Sequence, residues 1–464
     1  MKLHTPSFRL LAGLLVSLLA ITVSCKKFIT VDLPIDKVTS ATVFASDESA
    51  TAAVLGVYSG MMSTSLFYGS GGTTVYTGLA SDELYLTNTT IPAQTEFYAN
   101  ALSPSNSVLA SDFWLRAYRY IYQANTCIEN LQAATALTPA VRDRLLGEAH
   151  FLRAFHYHLL AGLFGGVPLV TGTDYKAAAT MPRAPLPELY AAVVTDLQEA
   201  KRLLPASYPT AGRLRPNKWA AAALLARVYL YGGDWADAEA EAAAVIGSGT
   251  YSLVSSPANV FLAGSAEAVW QLAPVEAGFN TTEARFFVPV ATGTTRPAYA
   301  LTSALLAAFT PGDTRRSAWV GSKTVAPEVF YFPFKYKVRN LNLPVTENYM
   351  VLRLAEQLLI RAEARAQLGK LTEAAADLNT IRSRAGLGAT PAATKDALLA
   401  AVERERRVEL FAEWGHRWFD LKRTGRTDAV LAPLKSGWQP TDALFPVPQA
   451  EILRNPALTQ NPGY

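Results

Sequence analysis

Cysteine is nearly absent from the 464 residues: Cys25 and Cys127 are the whole supply. Two thiols, one of them beside an N-terminal apolar run, leave no room for a disulfide framework or a cysteine-rich zinc module. Charge is sparse as well. Charged residues make up 17%, below the roughly 25% of ordinary soluble domains, so Thr, Ser, Asn, Gln and Tyr must cover much of the surface. Such a surface suits uncharged ligands better than phosphates. No long Lys/Arg run is present, which argues against nucleic acid, where a dense basic footprint is needed. Chemical motifs are missing too: there is no His-Glu-x-x-His zinc pattern, no Cys-x-x-Cys pair and no Gly-x-Ser-x-Gly elbow. Tyr68-Gly69-Ser70-Gly71-Gly72-Thr73-Thr74 is glycine-rich but lacks the Lys of a phosphate loop, and it reads as a flexible surface loop. The sequence offers no catalytic residue, no metal site and no cofactor site.

What the chain does have begins at its front end. Lys2 and Arg9 precede an almost unbroken apolar run over residues 10–23. That run is short of the roughly 20 residues that span a bilayer comfortably and fits the hydrophobic region of a secretory signal. Small Ser24 stands before Cys25, as a bacterial lipoprotein signal requires, although Thr22 occupies a place where Leu is usual. We expect residues 1–24 to be a lipoprotein signal peptide and Cys25 to carry the lipid, a diacyl or triacyl anchor that needs no transmembrane helix. Removing residues 1–24 leaves 40 basic against 38 acidic residues, a net charge of +2. Cys127 then has no partner and sits in an apolar helical stretch, so it reads as buried filler.

From residue 113 onward the pattern is helical. Trp114, Tyr118, Ile121, Ala124 and Ile128 recur at three- and four-residue steps, as do Phe151, Ala154, Phe155 and Leu159. Two helical hairpins stand out. Over 219–246, Ala226 and Ala238 lie twelve apart around Gly232-Gly233-Asp234-Trp235. Over 351–385, Ala362 and Ala374 lie twelve apart around Gly369-Lys370-Leu371. Small residues there let antiparallel helices approach closely, the spacing of tetratricopeptide repeats of about 34 residues. Arg365 stands where Tyr229 supplies an aromatic in the first copy, so the repeats are degenerate. Residues 63–112 and 250–345 read differently: rich in Gly, Thr, Ser, Asn and aromatics, with few helical patterns. Val269-Trp270-Gln271-Leu272 and Arg285-Phe286-Phe287-Val288-Pro289-Val290 read as short strands. Long irregular segments on a rigid scaffold are where binding usually resides.

Charge alternation marks one more block. Arg406, Arg407, Arg417 and Arg423 alternate with Glu403, Glu405, Glu409, Glu413 and Asp420, which suggests pairs at i, i+3 and i+4 along a helix face. Trp414, Trp418 and Phe419 would pack beside them and clamp the C-terminal tail to the repeats. His416 reads as a structural hydrogen-bonder. Glu356 and Glu363, seven apart on one face, read as ion-pair partners of Arg353 and Arg361 rather than as a general acid/base pair.

These motifs resemble a known family. Gly147-Glu148-Ala149-His150-Phe151-Leu152-Arg153-Ala154 with Leu163-Phe164-Gly165-Gly166-Val167-Pro168-Leu169-Val170 is similar to a signature of the SusD/RagB outer-membrane nutrient-binding lipoproteins. So are Arg353-Leu354-Ala355-Glu356 with Arg361-Ala362-Glu363-Ala364, and Leu378-Asn379-Thr380-Ile381-Arg382-Ser383-Arg384-Ala385-Gly386-Leu387. The block from Glu403 to Leu410 leading into Gly415-His416-Arg417-Trp418-Phe419-Asp420-Leu421-Lys422-Arg423 is the most specific. A closing strap, Leu444-Phe445-Pro446-Val447-Pro448-Gln449 and then Asn455 to Tyr464, completes the set.

The resemblance implies a mostly α, SusD-like fold: degenerate tetratricopeptide-like hairpins forming one scaffold, with long irregular loop and short-strand insertions. Residues 25–464 would form a single domain. Its scaffold would be 113–250 and 346–425, its ligand-binding insertions 63–112 and 250–345, its strap 440–464. The implied function is capture of oligomeric nutrients, glycans above all, on the outer face of the outer membrane. The captured ligand would pass to a TonB-dependent, SusC-like transporter without chemistry, metal or cofactor. In such proteins sugar stacks on aromatic faces framed by amides and carboxylates. The loop over 81–113 offers Asp82, Tyr85, Asn88, Phe97, Tyr98 and Asn100. Tyr68 and Tyr76 lie just upstream, and Trp319 and Tyr331 in the later insertion. A peptide-delivery protein of the same fold, an adaptor using the repeats for protein contacts, and a hydrolase with two facing carboxylates are the alternatives.

Overall fold

The computed structural model describes residues 40–62 and 65–464. The expected signal over residues 1–24 and the expected lipidation site, Cys25, lie outside the described residues. Phe44–Tyr464 packs as one unit. Its first helix, α1 (Asp47–Met61), starts where the Ser46 side chain accepts a hydrogen bond from the Ser49 N–H, a standard N-cap. Then come α2 (Thr73–Ala80), α3 (Pro92–Ala99), α4 (Leu115–Ala133), α5 (Pro139–Phe164) and α6 (Leu186–Leu203). The three- and four-residue spacing puts Ala117, Ile121, Ala124 and Ile128 of α4 on its buried face. Cys127 is buried there too. Helix α5 is almost continuously buried from Gly147 onward, so other elements must cover it on all sides.

The two hairpins form as their spacing suggests. Helices α7 (Lys218–Gly232) and α8 (Trp235–Gly247) turn at Gly233, whose φ of 82° is left-handed and costs a glycine little. Helices α9 (Leu354–Gln367) and α10 (Leu371–Arg384) repeat the arrangement, followed by α11 (Lys395–Glu409) and α12 (His416–Arg423). Ala226, Leu230, Ala238 and Ala242 form one core cluster with Ile360 and Ala364, joining the first hairpin to α9. Ala366, Ala374 and Leu398 carry the packing on to α11. Each cluster buries apolar surface that a single hairpin would expose, which is why repeats stack.

Among the described residues six short strands pair antiparallel, two by two: β1 (Leu84–Leu86) with β3 (Tyr299–Leu301), β2 (Ala268–Leu272) with β6 (Tyr349–Arg353), and β4 (Val320–Val325) with β5 (Glu328–Pro333). The expected strand at 269–272 is therefore present. The one expected at 285–290 is not: Thr282–Phe287 is helical, started by Thr281 Oγ1 accepting from the Ala284 N–H at 3.2 Å. A local cap outweighs the strand-like composition there. Segment 63–112 is likewise more helical than its composition suggests, since α2 and α3 lie within it. The glycine-rich stretch at 68–74 is not a flexible surface loop but buried. A Cβ at Gly69 would stand 2.6 Å from the Met61 carbonyl oxygen, so glycine permits close packing here.

The charge block also departs from its local reading. Arg423 does pair with Asp420 three residues away, but most partners come from other elements. Arg353 Nη1 donates to Glu409 Oε1 at 2.6 Å and its Nε to Glu413 Oε2 at 2.8 Å. Arg315, fully buried, bonds Asp313, Glu405 and Glu409. Arg384 joins Glu409 to Glu267. Glu356 pairs with Arg227 and Glu363 with Arg423, not with Arg353 and Arg361. Burial would raise the Glu409 carboxyl, but Arg384, Arg353 and Arg315 hold it well below the usual carboxylate range. His416 is buried and its Nδ1 has no hydrogen-bond partner; burial and four surrounding cations keep the ring neutral.

The strap closes over this frame. Phe445 is fully buried, its N–H donating to the Leu163 carbonyl at 2.9 Å. Trp418 lies 5.6 Å from Phe445, ring centre to ring centre. Asn461 Nδ2 donates to the Phe164 and Phe445 carbonyls. Trp414 instead stacks on Tyr349 at 4.8 Å.

Candidate functional site

Three separate elements meet at one hollow. Strand β1 carries Tyr85, α3 carries Tyr98, and β5 carries Tyr331. With Asp82 they line a cavity of about 530 Å³, within the 300–1,000 Å³ range of small-ligand sites. All three tyrosines are half-buried. A ring fixed on one side and open on the other can stack against the C–H face of a sugar, leaving hydroxyls to seek polar partners at the rim.

Hydrogen bonds hold the floor. Thr302 Oγ1 donates to the Asp82 carbonyl at 2.6 Å, and the Thr302 N–H to the Glu83 carbonyl at 3.0 Å. These fix β3 beside β1. Lys435 Nζ donates to the Leu79 and Tyr98 carbonyls at 2.7 and 2.6 Å and stands 4.4 Å from the centre of the Tyr98 ring. Burial pulls this ammonium down to about 8, with Asp82 opposing. Asp82 accepts from Arg417 Nε at 2.7 Å and from Arg407 Nη2 at 2.6 Å. Burial alone would raise its carboxyl; Arg417 and then Arg407 override that and hold it below its usual value. The neighbouring Glu83 points away, its Oε2 accepting from the Ala412 N–H, and burial pushes it up to about 7. Neither carboxyl is presented to the hollow as a free base.

The other six expected contact residues lie elsewhere. Tyr68 is buried, its hydroxyl 2.9 Å from His156 Nδ1. Tyr76 and Phe97 are buried against each other, with ring centres 4.8 Å apart. Trp319 is buried and donates Nε1–H to the Pro257 carbonyl at 2.7 Å. A ring with both faces in the core cannot stack on a sugar, so these four are corrected from contacts to core. Asn100 is buried in the left-handed conformation that ends α3 and donates to the Ala80 carbonyl; it too is structural. Asn88 is exposed and shapes its own turn by accepting from the Thr90 N–H. Thr302, Ser303, Leu434 and Lys435 line the hollow without having been expected. No motif flags them, because only the fold brings residues 302 and 435 to the loop at 82–98.

The parts of the hollow supplied by residues 81–98, Tyr331 and residues 434–435 fall within matched family segments, while residues 301–306 and Val329 lie between them. A model described as the SusD family matches residues 331–464, and one described as starch-binding, associating with outer membrane, matches residues 76–230. The SusD-like protein P2 of Formosa agariphila is 28% identical over 412 residues, which are 77% of this chain and 81% of the relative. A SusD superfamily protein from Bacteroides vulgatus superposes with a TM-score of 0.82 at 22% identity, covering 91% of this chain and 100% of that one. A laminarin-binding SusD-like protein superposes with a TM-score of 0.77 at 25% identity, covering 90% and 99%. With two family segments in chain order, relatives aligned along most of their length and a shared helical architecture, the chain belongs to the SusD/RagB family.

Proposed function

We propose that this protein binds oligosaccharide in the hollow framed by Tyr85, Tyr98 and Tyr331. The observation that carries the reading is the tyrosine rim: three half-buried rings from three elements around a floor already tied by hydrogen bonds. A preformed aromatic rim costs little ordering on binding. The laminarin-binding relative supports the same ligand class. Delivery to a SusC-like, TonB-dependent transporter is the onward step, with Cys25 carrying a lipid that holds the chain on the outward face of the outer membrane. Among the described residues no helix is long and apolar enough to cross a membrane, which is compatible with such an anchor. The protein works by capture and release. Calorimetry and affinity electrophoresis against a panel of polysaccharides and peptides test this. Glycan binding that is lost in Tyr85→Ala, Tyr98→Ala or Tyr331→Ala supports it. Peptide binding alone would move the ligand to a peptide, and binding of neither, with the tyrosine rim intact, would favour an adaptor.

A further inference from the structure

Tyr331 lines a second hollow as well. This one, of about 480 Å³, lies between the β4–β5 hairpin and the helix Thr314–Trp319, with Arg316, Asp313 and Phe309 in its wall. Arg316 sets it apart. The guanidinium is half-buried, 5.2 Å from the centre of the Tyr331 ring and 6.0 Å from that of Phe309. Among the described residues no carboxylate lies within ion-pair distance of it. The one carboxylate in the wall is already committed: Asp313 Oδ1 accepts from Arg315 N–H and Nε, and its Oδ2 from Arg315 Nη2 at 2.7 Å. Beyond Thr310 and Asp313 a third, smaller hollow of about 180 Å³ follows, with Arg404 and Arg382 in its wall. Arg404 is exposed and likewise has no carboxylate partner among the described residues. The three hollows are thus neighbours, the first two sharing Tyr331 in their walls and the last two Thr310 and Asp313, and two guanidinium groups without a carboxylate partner among the described residues stand along the later part.

We infer that the binding face continues past Tyr331 into a cationic subsite, and that the ligand is an extended acidic glycan whose carboxylate or sulfate groups pair with Arg316. The inference rests on the oligosaccharide reading of the first hollow. A half-buried guanidinium held between two rings is already oriented, and its planar fork matches a carboxylate or a sulfate through two parallel N–H···O bonds. A neutral sugar leaves that charge uncompensated; an acidic one does not. The low charge of the whole chain pointed toward uncharged ligands, but the local arrangement departs from that average.

The test uses the full chain in detergent micelles, titrated with laminarin as a neutral glycan, polygalacturonate as a carboxylated one, a sulfated galactan, and poly-glutamate as an acidic peptide. The expected result is binding of one or both acidic glycans that weakens as sodium chloride rises. Arg316→Gln should lower that affinity by about tenfold, the scale of one charge-assisted contact, and flatten the salt dependence, with Arg316→Lys recovering part of it. Thermal melting of each variant checks folding. Which acidic glycan responds separates carboxylate from sulfate. If laminarin binds, is lost in Tyr98→Ala, and the acidic glycans bind no better and ignore Arg316→Gln, the acidic subsite is overturned while the glycan hollow stands. If Tyr98→Ala leaves all glycan binding intact, or no glycan binds at all, both readings fall. Poly-glutamate binding through Arg316 without any glycan signal overturns the ligand class.

Discussion

Arg315 and Arg316 are neighbours in sequence and opposites in setting. Arg315 has no exposed surface and bonds three carboxylates, Asp313, Glu405 and Glu409. Arg316, one residue on, is half-buried against two rings with no carboxylate at ion-pair distance among the described residues. The same contrast separates the two regions to which they belong. The interior lattice around Arg353 and Glu409 spends its charges on one another, because a buried charge without a partner costs several kcal/mol. The hollows around Tyr331 keep rings and a cation within reach of solvent. Structural charge is recognised by its partners, and binding capacity by the lack of them. The most buried groups of this chain are for that reason poor candidates for ligand contact.

The largest expected effect breaks the interior side of that contrast. Arg353→Met removes the cation that joins Glu409, Glu413 and Glu267. We expect a loss of about 3–5 kcal/mol, the scale for stranding one half of a buried ion pair, read from urea unfolding. A loss under about 1 kcal/mol would mean that Arg384, Arg315 and Lys335 suffice, and that the lattice is redundant. Next in size is Phe445→Ala. Phe445 fills a pocket among Phe97, Phe113, Phe164 and Trp418, and emptying it should cost about 3–5 kcal/mol. Loss of the strap alone, without loss of the repeats, would appear as a separate early step in unfolding.

The boundary between the two regions follows the boundary of what could be read from sequence. The hairpins were legible because their signals are local: Ala226 and Ala238, or Ala362 and Ala374, lie twelve residues apart and meet across one turn. Arg407 finds Asp82 across 325 residues, and no spacing rule reaches that far. Among the tyrosines, Tyr85, Tyr98 and Tyr331 cannot be told from Tyr68 and Tyr76 in sequence, since all stand in the two segments with few helical patterns. What separates them is which pairing covers the ring: His156 and Phe113 close over Tyr68, while Tyr98 stays half-buried with Lys435 against one side of its ring. The composition marked the segments that supply the tyrosines of the hollow and could not choose within them.

Titration sharpens the contrast with a smaller effect. Burial pushes the Glu283 carboxyl up to about 8, against hydrogen bonds from Thr74 and Tyr349 that pull it down. In the unfolded chain this group releases its proton near 4.5, so the folded state holds more protons between those two values. Stability therefore falls as pH rises through that window and levels off above it. Glu283→Gln removes this contribution. Relative to the parent, the variant should gain stability by up to roughly 1.4 kcal/mol per pH unit between about 5 and 8. Parallel unfolding curves at those pH values check it; a constant difference between the two proteins would mean that Glu283 is ionised throughout.

The smallest expected change in stability tests the other side. Tyr98→Ala keeps the backbone carbonyl that Lys435 uses and removes a ring that is half open. Truncating a partly exposed side chain away from the core should shift unfolding by about 1 kcal/mol or less, the Lys435–ring contact accounting for part of it. Its effect on glycan affinity should be the larger of the two, since stacking on a rim ring is made only with ligand bound. Tyr76→Ala is the control: a buried ring 4.8 Å from Phe97, whose loss should cost stability first and affinity only through it. If the two variants lose stability and affinity in the same proportion, rim and core are not distinct regions and the hollow is only a gap in the packing. If Tyr98→Ala separates affinity from stability while Tyr76→Ala does not, half-burial is the property that makes a tyrosine of this chain a ligand contact.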